Sequence, residues 1–352
     1  MPGTGAIVAP LPGPRMSSFS PRALLRNLKP DNFTIALLVT VALASFLPCS
    51  GTTAVVFGHV TTVAIGLLFF LHGAKLSREA VVAGALHWRL HLLVLASTFV
   101  MFPLLGLALR PLALTFLTPD LYMGILFLCA LPSTVQSSIA MTAMARGNVP
   151  AAICSASASN FIGIFLAPIL VGLLVAKGAE SKSSLDAVLS IVMQLLLPFL
   201  AGQFLRRWIG RWVDRHKATL KYVDQGSILL VVYTAFSEAV NEGIWHTLSV
   251  ETLVALGLIS LLLLALVLGI STFVSRRLGF SKEDEIAIVF CGSKKSLASG
   301  VPMAKVLFST RSLGMVILPL MLFHQIQLMV CAVIAQRYAR RDEGKEAPVS
   351  TL

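Results

Sequence analysis

The chain has 352 residues, of which 56% are hydrophobic and only 12% are charged. Soluble globular domains carry about 25% charged residues, so this composition excludes one and indicates a chain whose solvent is the membrane. The formal net charge of +12 does not indicate nucleic-acid binding, because the basic residues lie in short clusters between apolar runs. Membrane lipids with anionic head groups are their expected partner.

The N-terminal segment, residues 1–32, is rich in proline, glycine and serine and lacks the apolar core of a signal peptide. We expect a disordered cytoplasmic tail there. Beyond it, charge-free runs recur that are long enough for spans of about 20 residues, and their turn signals divide them into ten helices of an all-α integral membrane protein. The expected boundaries are 33–48, 54–73, 89–109, 120–145, 150–176, 187–206, 225–241, 252–275, 283–308 and 312–337.

The distribution of lysine and arginine predicts the orientation, because positively charged loops stay in the cytoplasm. With ten spans, 21 basic residues fall on the side that holds both termini and 5 fall on the opposite side. Both termini are therefore expected in the cytoplasm, in a plasma membrane or a bacterial inner membrane. An odd number of spans would scramble this asymmetry, so the asymmetry also supports an even count.

The ten predicted helices divide into two groups of five with opposite orientations, which is the pattern expected of an inverted repeat. We expect the first repeat at 33–176, a connecting loop at 177–186, the second repeat at 187–337 and a cytoplasmic tail at 338–352. The fourth helix of each repeat is interrupted by a polar cluster, and the fifth carries a proline. These matching positions are what supports the repeat.

The polar clusters interrupt the fourth predicted helix near Pro132 and the ninth near Gly292. Unwound backbone is tolerated at membrane depth only where protein buries it or water reaches it, so two matching breaks indicate one central site where the helices cross. Half-helix N-termini would present N–H groups to an anion there. Alternatively, both breaks are ordinary kinks whose hydroxyl groups bond to their own helices. The candidate substrate-binding residues at the breaks are Ser133, Thr134, Gln136, Ser137, Ser138, Ser293, Lys294, Lys295 and Ser296.

Lys294 and Lys295 are the strongest single indication of function, because a lysine at membrane depth costs about 3 kcal/mol and needs a partner. Asp284 and Glu285 lie more than two helical turns earlier, too far along one helix to pair with them. A substrate anion is an attractive partner for one lysine, while the other donates to carbonyl groups freed by the facing break. The alternative is that both side chains snorkel to the membrane interface.

Two polar residues outside the breaks complete the candidate site. Asn160 ends a run of small residues and either lines the cavity or packs at a helix interface. His324 lies in the last predicted helix, where it either titrates near neutral pH or has a hydrogen-bonded structural role. The five cysteines have no paired spacing, so we expect neither a disulfide nor a metal site. The sequence also lacks phosphate loops and nucleophile elbows, so we expect no enzyme and no cofactor.

Several segments carry a resemblance to a known family, above all Asp284–Met303, which contains Phe290-Cys-Gly-Ser-Lys-Lys295. The supporting segments are 131–138, 147–148 with 160–168, and 197–207. Over roughly residues 25–340, the chain resembles the bile acid:sodium symporter superfamily, in the branch similar to sodium/bile acid cotransporter 7. The resemblance implies a panel domain of helices 1, 2, 6 and 7 and a core domain of the other six, in which helices 4 and 9 cross. It also implies alternating access through the crevice between these domains.

Sodium coupling is where the sequence departs from the sodium-driven members of that family. Those carriers have a glutamate before a glycine of the ninth helix and a Gln-Asn pair after it, where this chain has Phe290–Lys295. Hard cations need several oxygen ligands. We therefore expect Lys294 or Lys295 to take the place of sodium in a sodium-independent or proton-linked carrier. The positions that match the other sodium-coordinating side chains are Ser138, Ile139, Ala152 and Ala156, and only the serine offers a side-chain oxygen.

The function that these features favour is secondary active transport of a small organic anion. The alternative is a non-transporting regulator or partner subunit whose site is vestigial, which the loss of sodium ligands would favour. A solvated cavity that reaches both lysines would support transport. Tightly packed breaks whose lysines pair with carbonyl groups would support the alternative.

Overall fold

The computed structural model describes residues 32–75, 87–175, 192–241, 243, 245, 248–308 and 313–340, and every regular element in this part of the chain is a helix. The predicted connecting loop and most of both predicted tails lie outside these residues. In chain order the helices are α1 (Asn32–Phe46), α2 (Gly51–Lys75), α3 (Trp88–Ala108), α4 (Arg110–Phe116), α5 (Pro119–Ala130), α6 (Gln136–Met144), α7 (Val149–Val175), α8 (Leu197–Arg215, directly preceded by the π-helical segment Val192–Leu196), α9 (Lys217–Asn241), α10 (Val250–Arg277), α11 (Lys282–Gly292), α12 (Leu297–Leu307) and α13 (Leu313–Ala339).

Five helices in the described part are long and apolar enough to cross a membrane, namely α2, α3, α7, α10 and α13. Their outer faces expose large apolar side chains, such as Leu173 at 67% and Val250 at 77%. Water would penalise such a surface, whereas lipid tails accommodate it. The chain is therefore an integral membrane protein. The ten-helix count and the inverted repeat stay predictions.

The helix boundaries depart from the predicted ones where charged residues continue a helix beyond its apolar part. Helix α8 runs to Arg215 and not to 206, and α9 begins at Lys217 and not at 225. Hydropathy marks where the lipid ends, but lysine and arginine are good helix formers, so the helices continue into the basic segment. The predicted spans 120–145 and 283–308 are each divided into two helices, at the positions that the polar clusters indicate.

Helices α2 and α8 pack with their backbones in direct contact. The contact is made by Gly73 of α2 and Gly202 of α8. A Cβ atom on Gly73 would collide with the carbonyl oxygen of Phe199, and one on Gly202 would collide with that of Phe70. Small residues are what let two membrane helices approach this closely.

We predict that Gly202→Ala lowers the free energy of unfolding by about 2 kcal/mol, because its methyl group has no space against the backbone of α2. The measurement is the thermal midpoint of the purified protein in detergent. Gly172→Ala is the matched control, since a Cβ atom at Gly172 meets no atom within 4 Å. An equal midpoint for the two variants would contradict the close contact.

Candidate functional site

The two helix breaks lie against each other. The first separates α5 from α6, and the second separates α11 from α12. Ser296 N donates to Pro132 O across the breaks at 2.9 Å, and the Ser133 hydroxyl donates to Cys291 O at 2.6 Å. The Ser138 hydroxyl donates to Phe290 O at 3.2 Å. Residues predicted at the breaks therefore do meet, through hydrogen bonds between one break and the backbone of the other.

The side chain of Lys295 is enclosed by backbone carbonyl groups. Its Nζ donates to Thr98 O at 2.8 Å, to Cys129 O at 2.8 Å and to Leu131 O at 2.7 Å. The Phe102 ring lies 4.1 Å from the ammonium. The side chain is completely buried, so the three carbonyl groups and the aromatic face replace its water shell.

The geometry of the chain explains why these three carbonyl groups are available. In a continuous helix Cys129 O would accept from Ser133 N, but at the break Ser133 N donates to Ser159 Oγ at 3.1 Å. Leu131 follows the last turn of α5, where helix carbonyl groups have no partner within the helix. Residues 97–101 of α3 form a π-helical segment in which Phe102 N donates to Ser97 O.

The next bond of that π-helical ladder would run from residue 103 to Thr98 O. Residue 103 is Pro103, which has no N–H to donate. Thr98 O is therefore left for the lysine. A break in one helix and a proline in another thus supply acceptors that converge on one ammonium group.

The backbone N–H and C=O groups of Lys295 are also hydrogen-bonded. Lys295 N donates to Gln327 Oε1 at 2.9 Å, and Gln327 Nε2 donates to Lys295 O at 3.0 Å. A single buried amide from α13 thus pairs both backbone groups of a residue that has no helical partners. The bond lies next to His324, whose Nδ1 is 3.0 Å from the same Nε2.

Lys294 differs from its neighbour. It is also completely buried, but its Nζ makes no hydrogen bond with any described residue. The Ser293 hydroxyl is likewise buried without a partner among the described residues. The nearest aromatic ring to the amine is Phe290, at 5.9 Å. The two adjacent lysines therefore occupy different environments.

A cavity of about 390 Å³ lies beside the breaks. The break wall of this cavity is formed by Thr134–Ser137, Asn160, Ser296–Ser299 and His324. Thr134–Ser137 and Ser296–Ser299 lead into the first turns of α6 and α12. Both half-helix N-termini therefore open onto the cavity, and the first N–H groups of a helix have no partner within it. Asn160 joins the second terminus, because its Oδ1 accepts from Ser299 Oγ at 3.0 Å.

The opposite side of the cavity is contributed by α1, α2, α8 and α9. Its apolar part includes Phe33, Phe69 and Phe199. We call its polar part the charged wall, which consists of His72, Lys75, Lys221, Asp224 and Gln225. Lys75 Nζ forms an ion pair with Asp224 Oδ2.

The cavity brings together six of the eleven predicted site residues. These are Thr134, Gln136, Ser137, Asn160, Ser296 and His324. The other five lie behind the breaks and do not line it: Ser133, Ser138, Ser293, Lys294 and Lys295. Sequence reasoning missed the charged wall, because its residues lie at helix ends in basic segments where any transmembrane helix has such residues.

Comparison with known proteins identifies the family. The sequence profile of the SBF-like CPA transporter family matches residues 31–340. The chain belongs to this family. An uncharacterized protein of Pseudomonas aeruginosa is 67% identical over 91% of this chain and 96% of its own length. The Escherichia coli protein named "Putative symporter YfeH" is 57% identical over 90% of this chain and 95% of its own length.

More distant relatives of this transporter family member include vertebrate proteins. Sodium/bile acid cotransporter 7 of Danio rerio is 29% identical over 94% of this chain and 99% of its own length. The resemblance found from Asp284–Met303 is therefore confirmed. Membership places the chain among membrane transporters.

We predict that Lys295→Met lowers the free energy of unfolding by about 3 kcal/mol or more, because it leaves three buried carbonyl groups without a donor. Lys294→Met is the matched control. It removes no hydrogen bond among the described residues, so the protein should be as stable as the parent or more so. Thermal midpoints in detergent measure both effects. Equal losses at the two positions would refute the difference in environment.

Proposed function

We propose that this chain is a secondary transporter of a small organic anion, which binds in the cavity beside the two breaks and crosses by alternating access. The observation that carries the proposal is the cavity itself. It holds about 390 Å³, and the N-termini of α6 and α12 both open onto it. Its volume suits a small organic molecule.

The division of hydrogen-bonding groups at the breaks supports an anion. The carbonyl groups freed at the ends of α5 and α11 are taken up inside the protein by Lys295, Ser133 and Ser138. The residues that begin α6 and α12 line the cavity, and among their N–H groups Ser299 N is already capped by Ser296 Oγ at 3.2 Å. What the breaks present to a ligand is therefore the other first-turn N–H groups and the positive ends of two helix dipoles, which favour groups with negative charge.

The architecture we propose around this cavity has ten membrane helices in two inverted repeats, with α5–α6 as the fourth span and α11–α12 as the ninth. The hydrogen bonds between the breaks support a crossing of these two spans. The cavity lies between the breaks and the face made by α1, α2, α8 and α9, which are the helices expected in the panel domain. Both termini would be cytoplasmic.

Sodium independence is the second part of the proposal. Three carbonyl oxygens around one point, at 2.7–2.8 Å from the Lys295 Nζ, are the kind of ligands that a hard cation uses. Here a fixed ammonium group occupies that point and would repel a sodium ion. We propose that the Lys295 side chain takes the place of the coupling cation, so that the carrier works without sodium or is linked to protons.

One ion pair lies on α9 far from the cavity. Glu238 of α9 pairs with Lys305 of α12 at 3.0 Å. Asp224, which lines the cavity, lies on the same helix α9, and 14 residues of helix separate the two acids by about 21 Å. Helix α9 thus borders the cavity near its start and is tied to the second half-helix pair near its end. We propose that the Glu238–Lys305 pair helps to hold this conformation.

The alternative function, a regulator or partner subunit without transport, is favoured by the enclosure of Lys295 by carbonyl groups and by the tight packing of the breaks. The polar cavity favours transport, because a vestigial site has no reason to keep donors from two half-helices on its wall.

We predict that small carboxylates or sulfonates raise the thermal midpoint of the purified protein by about 2–4 °C at saturation. The rise should be the same in sodium chloride and in choline chloride. Asn160→Leu should abolish it, because the apolar side chain removes an amide from the cavity wall. Asn241→Leu is the matched control, since Asn241 Nδ2 donates to Cys49 O and does not line the cavity.

A rise that needs sodium in the parent would refute sodium independence, and a sodium requirement retained in Lys294→Ala and Lys295→Ala would show that neither lysine replaces the ion. The absence of any rise across the acids, with equal behaviour of both asparagine variants, would favour the regulator.

We predict that Glu238→Gln shifts the protein away from the conformation described here, because an exposed pair contributes up to about 1 kcal/mol, or about fivefold in an equilibrium. The measurement is the rate at which a charged maleimide labels Ser137→Cys, a cavity position, in proteoliposomes. The labelling rate should fall, because the conformation described here exposes Lys221 at the cavity. The charge swap Glu238→Lys with Lys305→Glu should restore it, and failure of the swap to do so would count against the pair.

A further inference from the structure

The charges of the cavity are confined to the wall opposite the breaks. Among the described residues that line it, the charged side chains are Lys75 on α2 with Lys221 and Asp224 on α9. The break wall has none, because Lys294 and Lys295 face away from the cavity. The break wall therefore offers hydrogen-bond donors and partial charges, whereas the charged wall offers full charges.

The charged wall carries a net positive charge. Lys75 is paired with Asp224, whereas Lys221 is exposed and forms no ion pair or hydrogen bond with any described residue. Lys221 and Asp224 are three residues apart on α9, so their side chains lie on the same face of the helix. Two ammonium groups and one carboxylate leave a local charge of +1.

Asp224 is also incompletely satisfied. Its Oδ2 bonds Lys75, but its Oδ1 is buried and has no hydrogen-bond partner among the described residues. The neighbouring His72 directs Nδ1 to Leu68 O at 2.8 Å, so Nδ1 donates to that carbonyl. A carboxylate on this wall limits how much negative charge the wall accepts, because like charges repel.

Apolar surface adjoins these charges. Phe69 lies on α2 about one helical turn before His72, and Phe33, Phe161 and Phe199 also line the cavity. A ligand that fits has an anionic end, an apolar body and oxygen acceptors that reach the half-helix N-termini. A helix N-terminus carries only about half of an elementary charge, so the full charge of a ligand is better matched by an ammonium group.

We propose that Lys75 and Lys221 hold the charged group of the cargo, and that Asp224 makes the site selective for monoanions over dianions. This inference rests on the proposed transport function. It reassigns the anion contact from the lysines of the break, Lys294 and Lys295, to a pair on the opposite wall.

The test uses the full-length protein in lipid nanodiscs and three probes with the same aromatic body: 2-naphthol, naphthalene-2-sulfonate and naphthalene-2,6-disulfonate. Isothermal titration calorimetry measures their affinities. The parent should bind the monosulfonate more tightly than the other two. Lys221→Gln should lower the affinity for the monosulfonate about fivefold and leave the affinity for 2-naphthol unchanged, because one exposed charge pair is lost.

Asp224→Asn should act in the opposite direction. It raises the local charge to +2, so the disulfonate should gain about fivefold in affinity and the preference for the monoanion should disappear. Lys75→Gln combined with Asp224→Asn restores the charge of the parent wall to +1 without leaving a buried carboxylate unpaired, so the preference should return. Lys217→Gln is the control for Lys221→Gln, because Lys217 is on the same helix but does not line the cavity.

Three outcomes would overturn the proposal: no binding of the monosulfonate by the parent, unchanged affinities in Lys221→Gln and Asp224→Asn, or equal effects on 2-naphthol. The proposed function has a separate readout. If Asn160→Leu abolishes binding of all probes while the charge variants change nothing, the cavity is still a binding site and only the assignment of the anion contact fails.

Discussion

The bonds from the Lys295 ammonium to three backbone carbonyl groups are the interaction on which the two breaks depend. An interrupted helix in a membrane has to find partners for the backbone groups that it frees, because lipid provides none. Here one cation takes up acceptors from α3 and from the end of α5. The cost of burying a lysine is offset only because all its donors are used, and this explains how an ammonium group is kept where none of the described carboxylates pairs with it.

This arrangement separates acceptors from donors. Since several carbonyl groups at the breaks are bonded within the protein, the half-helix N-termini are what the breaks present to the cavity. The family to which the chain belongs consists of transporters, and two half-helix N-termini opposite two ammonium groups are the basis on which we propose negatively charged cargo. The lysines thus have two distinct roles: Lys295 stabilises the breaks, while Lys75 and Lys221, at helix ends, are the ones we propose for contact with a ligand.

The prediction that one lysine of the break contacts a substrate anion, while the other donates to carbonyl groups freed by the facing break, illustrates the limit of reasoning from a motif, because the motif does not say which lysine takes which partner. A lysine pair at membrane depth needs binding partners, but the sequence does not distinguish backbone carbonyl groups from a substrate anion in that role. The choice depended on Pro103 in α3, which is 192 residues from Lys295 in the chain and leaves Thr98 O free. Likewise, Lys75 and Asp224 meet across 149 residues, and nothing in the local sequence of either residue predicts the other.

The sequence alone determined the membrane class, the positions of both breaks and the family, because composition, hydropathy and the Phe290–Lys295 segment are local properties of the chain. It also identified six residues of the cavity wall, since a half-helix that begins with polar residues has to direct its free N–H groups toward something polar. Only the tertiary structure decided which face of each break is open to the cavity, which lysine is enclosed, and which helix supplies the opposite charges. Those outcomes depend on packing between helices distant in sequence, where hydrogen bonds and ion pairs are formed between residues whose spacing along the chain carries no signal.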